Sequence, residues 1–179
     1  MGIGAEKTGA GITRAWTKGL GAFLAAVGQD KLVLLGVGNP IKSDDSVGLF
    51  IADSLHEAIG DGPRLSILSA DAYPELALSR VDLRSSHLLI FDAMEAGARP
   101  GAIVLAGIGD TEYGFFATHN LPLKLHPSIV NRYERVSILG VQPGNLEVGE
   151  ALSPVVKDAA ERVVGEVERQ LTGSGGFLG

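Results

Sequence analysis

Two adjacent carboxylates, Asp44 and Asp45, follow a glycine-rich turn in the segment GVGNPIKSDDSVG, which runs from Gly36 to Gly48. A further carboxylate, Asp92, ends the apolar run HLLIFDA, and an imidazole, His119, stands in ATHNLPL. Asp45, Asp92 and His119 together are two hard oxygen donors and one nitrogen donor, a mixed set that suits a divalent transition metal better than calcium or magnesium. Each also has a plainer reading. Asp performs well as a helix N-cap and the helix dipole favours it there, so one of Asp44 and Asp45 is expected to cap the helix that follows. Both cannot, which leaves the other to project over the strand ends. Asp92 reads equally as the cap of a following turn, and a lone His119 as an ordinary loop or capping residue. His56 reads as a solvated helix residue, His87 as a strand-entry residue and His126 as a helix-surface residue.

The glycine loop must also be tested as a nucleotide site, because GVGNPI sits where a dinucleotide fingerprint would sit. It fails that test. Ile41 occupies the third glycine position, Pro40 stiffens the turn, and two carboxylates lie where a pyrophosphate would meet the helix N-terminus. No Gly-Lys-Ser/Thr follows, and neither HExxH nor G-x-S-x-G occurs.

The elements that must position these groups alternate between strands and helices. KLVLLGVG at 31–38 is a short continuous apolar run ending in glycine, as expected for a buried parallel strand. Helical spacing from Asp45 to Ile59 puts Val47, Phe50, Ile51, Leu55 and Ile59 on one face. RLSILS at 64–69 predicts a strand, and Pro74 opens a short helix. HLLIFDA at 87–93 and the strand within AGARPGAIVLAG are close enough in sequence to predict an antiparallel pair in an otherwise parallel sheet. Residues 107–119 read as a long loop over the strand ends, Asn120 to Tyr133 as a helix, and RVSILGVQP at 135–143 as the last strand. Ser153-Pro154 supplies an N-cap and first-turn proline for a helix to about Leu171. The fold expected is a three-layer α/β/α sandwich with a mixed, mostly parallel sheet of about five strands, whose ligands gather at the carboxyl ends of the strands.

Length and composition agree with one α/β domain. The 179 residues are 45% hydrophobic and include no cysteine, which excludes thiolate ligands, a Cys nucleophile and disulfides, and suits the cytoplasm. A net charge of −6 favours neither nucleic acid nor an anionic membrane as partner. In residues 1–30 the run GLGAFLAAVG falls far short of the ~20 apolar residues of a membrane span. Ile12, Trp16, Leu20, Phe23, Leu24 and Val27 instead share a helical face, predicting an amphipathic helix packed on a domain spanning 31–171. The tail GSGGFLG, residues 172–179 with Thr172, is expected to be flexible.

Taken in order, GVGNPIKSDDSVG, LLIFDAMEAGARPG, ATHNLPL and ILGVQP, followed by a C-terminal helix, resemble the hydrogenase maturation endopeptidases over about residues 31–171. The Thr118–Leu123 run and the Gly175–Phe177 tail look closest to the branch serving formate-hydrogenlyase-type and related membrane-bound hydrogenases. The resemblance implies an enzyme that removes a C-terminal extension from the large subunit of a [NiFe] hydrogenase once nickel is in place. It implies that Asp45, Asp92 and His119 contact nickel carried by that precursor, so that the isolated enzyme is metal-free; with Asp45 so assigned, Asp44 is the better capping candidate. Gly36, Gly38, Asn39 and Asn120 are expected to shape the loops around the site, and the protein to act as a monomer. Two departures stand out. Asp-Asp-Gly is here Asp-Asp-Ser, so Ser46 should not need positive φ. The family's Asp-Gly-Gly segment appears as Ser69-Ala70-Asp71. A non-catalytic nickel-checking chaperone of the same precursor is the alternative from another functional class, and a nucleotide-binding domain a third.

Overall fold

A computed structural model of the chain describes residues 9–71, 73–79, 81, 86–107, 116–117, 132–149, 151–173 and 177. Three apolar runs form the parallel centre of one sheet: β1 (Lys31–Val37), β3 (Ser86–Glu95) and β6 (Arg135–Val141). With β2 (Leu65–Ala70) and β4 (Ile103–Gly107) the order is β2-β1-β3-β6-β4, and the two-residue β5 (Phe116–Ala117) pairs with the end of β3. The first four of these are mutually parallel, and β4 is antiparallel to β6. β3 is buried from Ser86 to Met94 because it has a strand on each side and a packed layer on each face, which is why its sequence is an unbroken apolar run rather than an alternation.

The antiparallel element expected from the sequence exists, but its partner differs. β4 does not pair with β3, whose two edges are taken by β1 and β6. The intervening turn instead carries the chain past the end of β6. Gly101, at φ 77°, donates its N–H to the Gln142 carbonyl at 2.8 Å, and Gln142 N–H donates to Ala102 O at 2.8 Å. β4 then runs back along the free edge. The loop expected over 107–119 also contributes β5, where Ala117 lies opposite Met94.

Strand alternation sends side chains to two cores. Leu32, Leu34, Leu89, Phe91 and Ala93 face a cluster built with α1 (Gly9–Val27), α2 (Val47–Ala58) and α4 (Pro154–Thr172). Val33, Leu35, Leu88, Ile90 and Met94 face the other side, joined by Tyr133 and by Leu78 of α3 (Pro74–Leu78). These are the three layers of the expected sandwich. Trp16, Leu20, Phe23, Leu24 and Val27 of α1 recur every three or four residues and are all buried. Among the described residues, no helix is long and apolar enough to cross a membrane. Phe177, in the tail expected to be flexible, is also buried. Arg64 holds it, its guanidinium 4.4 Å from the ring centre and bonded to the Phe177 carbonyl at 2.7 Å, because an aromatic face attracts a cation and shields apolar area at once.

Candidate active site

Close backbone approach builds the site from its glycines. A Cβ on Gly48 would lie 2.2 Å from the carbonyl oxygens of both Val37 and Phe91, so the first turn of α2 sits directly on the end of β1 and on β3 beside it. A Cβ on Gly36 would lie 2.2 Å from Gly48 O, and one on Gly38 2.2 Å from Asp45 O. Gly36 and Gly38 therefore admit the close backbone approach by removing volume rather than by adopting a left-handed conformation. Asn39 completes it. Its side-chain oxygen accepts Ile41 N–H at 3.1 Å, its carbonyl accepts Lys42 N–H at 3.1 Å, and its own N–H donates to Asp45 O at 3.2 Å.

The helix does not begin at Asp45. Ser43–Ser46 form a separate 3₁₀ turn, and α2 starts at Val47 with Ser46 in the N-cap position. Ser46 has φ −83°, which a residue with a side chain adopts without strain, as the sequence suggests. Its hydroxyl donates to Ser43 O at 2.7 Å and caps nothing.

Asp44 is not the cap of its own helix, which corrects the expectation drawn from its type and place. It is fully buried. Its carboxylate accepts the N–H groups of Gly144 and Asn145 at 2.8 Å each, the Ser153 N–H at 2.6 Å and the Ser153 hydroxyl at 2.9 Å. The 3₁₀ turn lies inside the fold, and the donors that reach a buried carboxylate there come from the loop after β6 and the start of α4. Ser153, expected to cap α4 with its side chain, occupies the N-cap position but gives its hydroxyl to Asp44. A buried carboxylate needs such a cage, because an ion stripped of water is stable only when its lone pairs are satisfied.

Asp45 and Asp92 come to the same end of the sheet. Asp45 lies in the 3₁₀ turn, which packs against β3. Asp92 lies opposite Gly140 of β6, one residue beyond the last pairing of β3 with β1, at the carboxyl end of the parallel region. β3 itself continues to Glu95, so Asp92 is inside the strand rather than at its tip. Its Oδ1 accepts Ala93 N–H at 2.8 Å. Both aspartates are almost completely inaccessible, at 1% and 0% exposure, so Asp45 is a core residue rather than the surface group its loop suggests. His119 and Asn120 lie outside the described residues, as do His126 and the expected helix from Asn120; β5 ends two residues before His119 in the chain. Among the described residues, no three potential ligands gather into a metal-binding group.

A further group at this edge is not signalled by the sequence. Gln142 is buried at the end of β6, and its side-chain oxygen accepts the N–H groups of Ala96 and Ala98 at 2.8 and 3.2 Å, fixing the turn after β3. Its Nε2 donates to Glu95 at 3.2 Å. No local pattern singles out a glutamine whose partners lie over forty residues away. Asp71 follows β2 at the same edge, exposed, one residue beyond the Val37–Ala70 pairing. The neighbouring Ser69 hydroxyl donates to Asp53 of α2, so this departure from the family pattern ties β2 to the helix above it.

A three-layer α/β protein of this kind gathers its ligands at the carboxyl edge of its sheet, where the buried acids lie. Residues 50–170 match the HycI hydrogenase maturation protease family, a span that includes Asp92 and begins just after the acidic turn. The chain is 32% identical over 148 residues to the hydrogenase 3 maturation protease of Escherichia coli K12, covering 81% of this chain and 93% of the relative. It is 26% identical over 122 residues to a putative hydrogenase maturation protease of Methanocaldococcus jannaschii, covering 63% and 72%. Among solved structures, a [NiFe] hydrogenase maturation protease HycI from Thermococcus kodakarensis superposes with a TM-score of 0.66 at 26% identity, covering 83% of this chain and 95% of that one. A hydrogenase 3 maturation protease gives 0.61 at 29% identity, covering 76% and 88%. The protein belongs to the hydrogenase maturation protease family. The HycI match is consistent with the formate-hydrogenlyase-type branch.

Proposed function

We propose that the protein is the endopeptidase that removes the C-terminal extension of a nickel-loaded [NiFe] hydrogenase large-subunit precursor. The observation that carries this reading is the placement of two buried acids, Asp45 and Asp92, at one sheet edge in a chain of this family. Asp45, Asp92 and His119 are the residues to contact the nickel, which arrives in the substrate, and the enzyme on its own holds none. Two carboxylates and an imidazole leave coordination positions open for the precursor's own ligands. A metal held there polarises a neighbouring carbonyl or acidifies a water, while an adjacent carboxylate moves the proton. The reaction belongs to the cytoplasm, and a single copy suffices for it.

The test is to incubate the protein with its precursor, with and without nickel loaded, and to follow the precursor by intact mass. Shortening of the C-terminus only in the nickel-loaded sample is expected. Tight binding without shortening would assign the chain to a non-catalytic chaperone of the same precursor, and shortening without nickel would remove the metal from the recognition step.

A further inference from the structure

The acidic pair divides its labour in a way that the chemistry of Asp45 does not require by itself. Asp44 is fully buried, and its two oxygens collect four hydrogen bonds from two segments remote in sequence, the turn at Gly144–Asn145 and the N-cap of α4 at Ser153. Backbone bonds reinforce the connection. Asp44 N–H donates to Asn145 O at 3.1 Å, Ser43 N–H to Gly149 O at 2.5 Å and Gly149 N–H to Ile41 O at 2.9 Å, and Lys42 pairs with Gly149 as a parallel bridge. The turn holding Asp45 is thus tied on one side to the loop after β6 and seated on the other against β3 and the residues just after β1, where Gly38 abuts the Asp45 carbonyl.

From this geometry we infer that Asp44 is a positioning residue for the reaction, holding Asp45 in register with Asp92 by bonding the 3₁₀ turn to the loop at 144–153. The inference rests on the proposed role of Asp45. Charge and geometry both matter to it. A carboxylate accepts on both oxygens, whereas an asparagine presents one oxygen and turns an NH₂ toward N–H groups that can only donate. Charge-assisted bonds are also roughly twice as strong as neutral ones, so the turn loses stiffness as well as partners when the charge goes. An acid a fraction of an ångström out of place acts poorly in the reaction while the substrate still binds over its wider contact area. The signature is a fall in kcat with KM preserved.

The experiment compares wild type, Asp44→Asn and Ser153→Ala, the last removing one donor and leaving the backbone donors in place. Cleavage kinetics on the nickel-loaded precursor are read beside backbone hydrogen exchange of each protein alone. Asp44→Asn should lower kcat at least tenfold with KM within twofold, and should speed exchange at 43–46 and 144–153 while β1 and β3 stay protected. Ser153→Ala should lower kcat two- to fivefold at unchanged KM. Wild-type kcat in a folded Asp44→Asn variant, or unchanged exchange in both segments, would overturn the inference. If Asp44→Asn does not fold, Ser153→Ala decides, and its wild-type kcat would likewise overturn it. Failure of the wild-type protein to shorten the precursor would instead count against the proposed function, with the exchange pattern still judging whether Asp44 holds the turn.

Discussion

The two ends of the sheet both bury ionisable side chains, but in different company. At the carboxyl end, Asp44 sits in a cage of three backbone N–H groups and one hydroxyl, and Asp45 and Asp92 are buried at the same end. At the amino end, His87 is buried where β3 begins, edge-on to Phe23 at 6.2 Å between ring centres, with its Nε2 3.3 Å from the half-exposed carboxylate of Asp30. Among the described residues, no hydrogen-bond partner reaches its Nδ1. The amino end is an apolar seam closed by Phe23, Phe177 and Arg64, in which a histidine fills space. The carboxyl end spends backbone hydrogen bonds on holding acids in place. In parallel sheets the carboxyl ends face the ligand crevice, and under the proposed function that geometry separates chemistry from packing.

The comparison breaks most sharply at Asp45. Asp45→Ala should abolish precursor shortening, with a loss of at least a hundredfold by intact mass, whereas His87→Phe should leave the rate within twofold. If His87→Phe is as damaging as Asp45→Ala in a folded protein, the two ends are not functionally distinct. The glycine seat of the site comes next. A methyl group at Gly48 meets two carbonyl oxygens at 2.2 Å, so Gly48→Ala forces the backbone apart and should destabilise by about 3 kcal/mol in a denaturant titration. Wild-type stability would show that the start of α2 is freer than its contacts indicate.

On the packing end, Phe177→Ala should cost about 2 kcal/mol, less than a deeply buried phenylalanine because a chain end relaxes more easily. Its cleavage rate per folded molecule should stay at the wild-type level. The smallest effect is expected at Tyr133, in the core on the Asp92 face of the sheet. Burial pushes its phenol up to about 12, against a smaller opposing influence of Arg132, and its hydroxyl has no hydrogen-bond partner among the described residues. Because the folded state holds this proton more tightly than the unfolded one, the contribution is fully present below pH 10 and is lost as pH rises through about 12. Tyr133→Phe should remove that alkaline loss and leave stability at neutral pH unchanged or up to about 1 kcal/mol higher. A steeper alkaline loss in the variant would contradict the assignment.

Much of this molecule is legible in one dimension. Strands buried on both faces must be apolar throughout, so KLVLLGV, HLLIFDA and RVSILGV declare β1, β3 and β6, and any acid interrupting them stands out. Helical spacing does the same for α1 and α2, and Ser153-Pro154 marks the start of α4. Asp45 and Asp92 can be paired from the sequence alone, because strand order in an α/β chain sends both to the same edge, and the motifs around them resemble one family. The expected His119 belongs to the same motif set, outside the described residues.

What only the tertiary structure decided concerns partners. β4 chose β6 because β3 had no free edge left. Asp44 became the hub of a buried network rather than a helix cap, since its donors lie a hundred or more residues ahead in the chain. Phe177 is packed because Arg64 and the end of α1 happen to meet there. Sequence periodicity records whether a residue is covered, a property each segment expresses locally through its own spacing. Which group covers it, or answers its hydrogen bonds, depends on edges and donors that distant segments leave open, and those exist only once the sheet has closed.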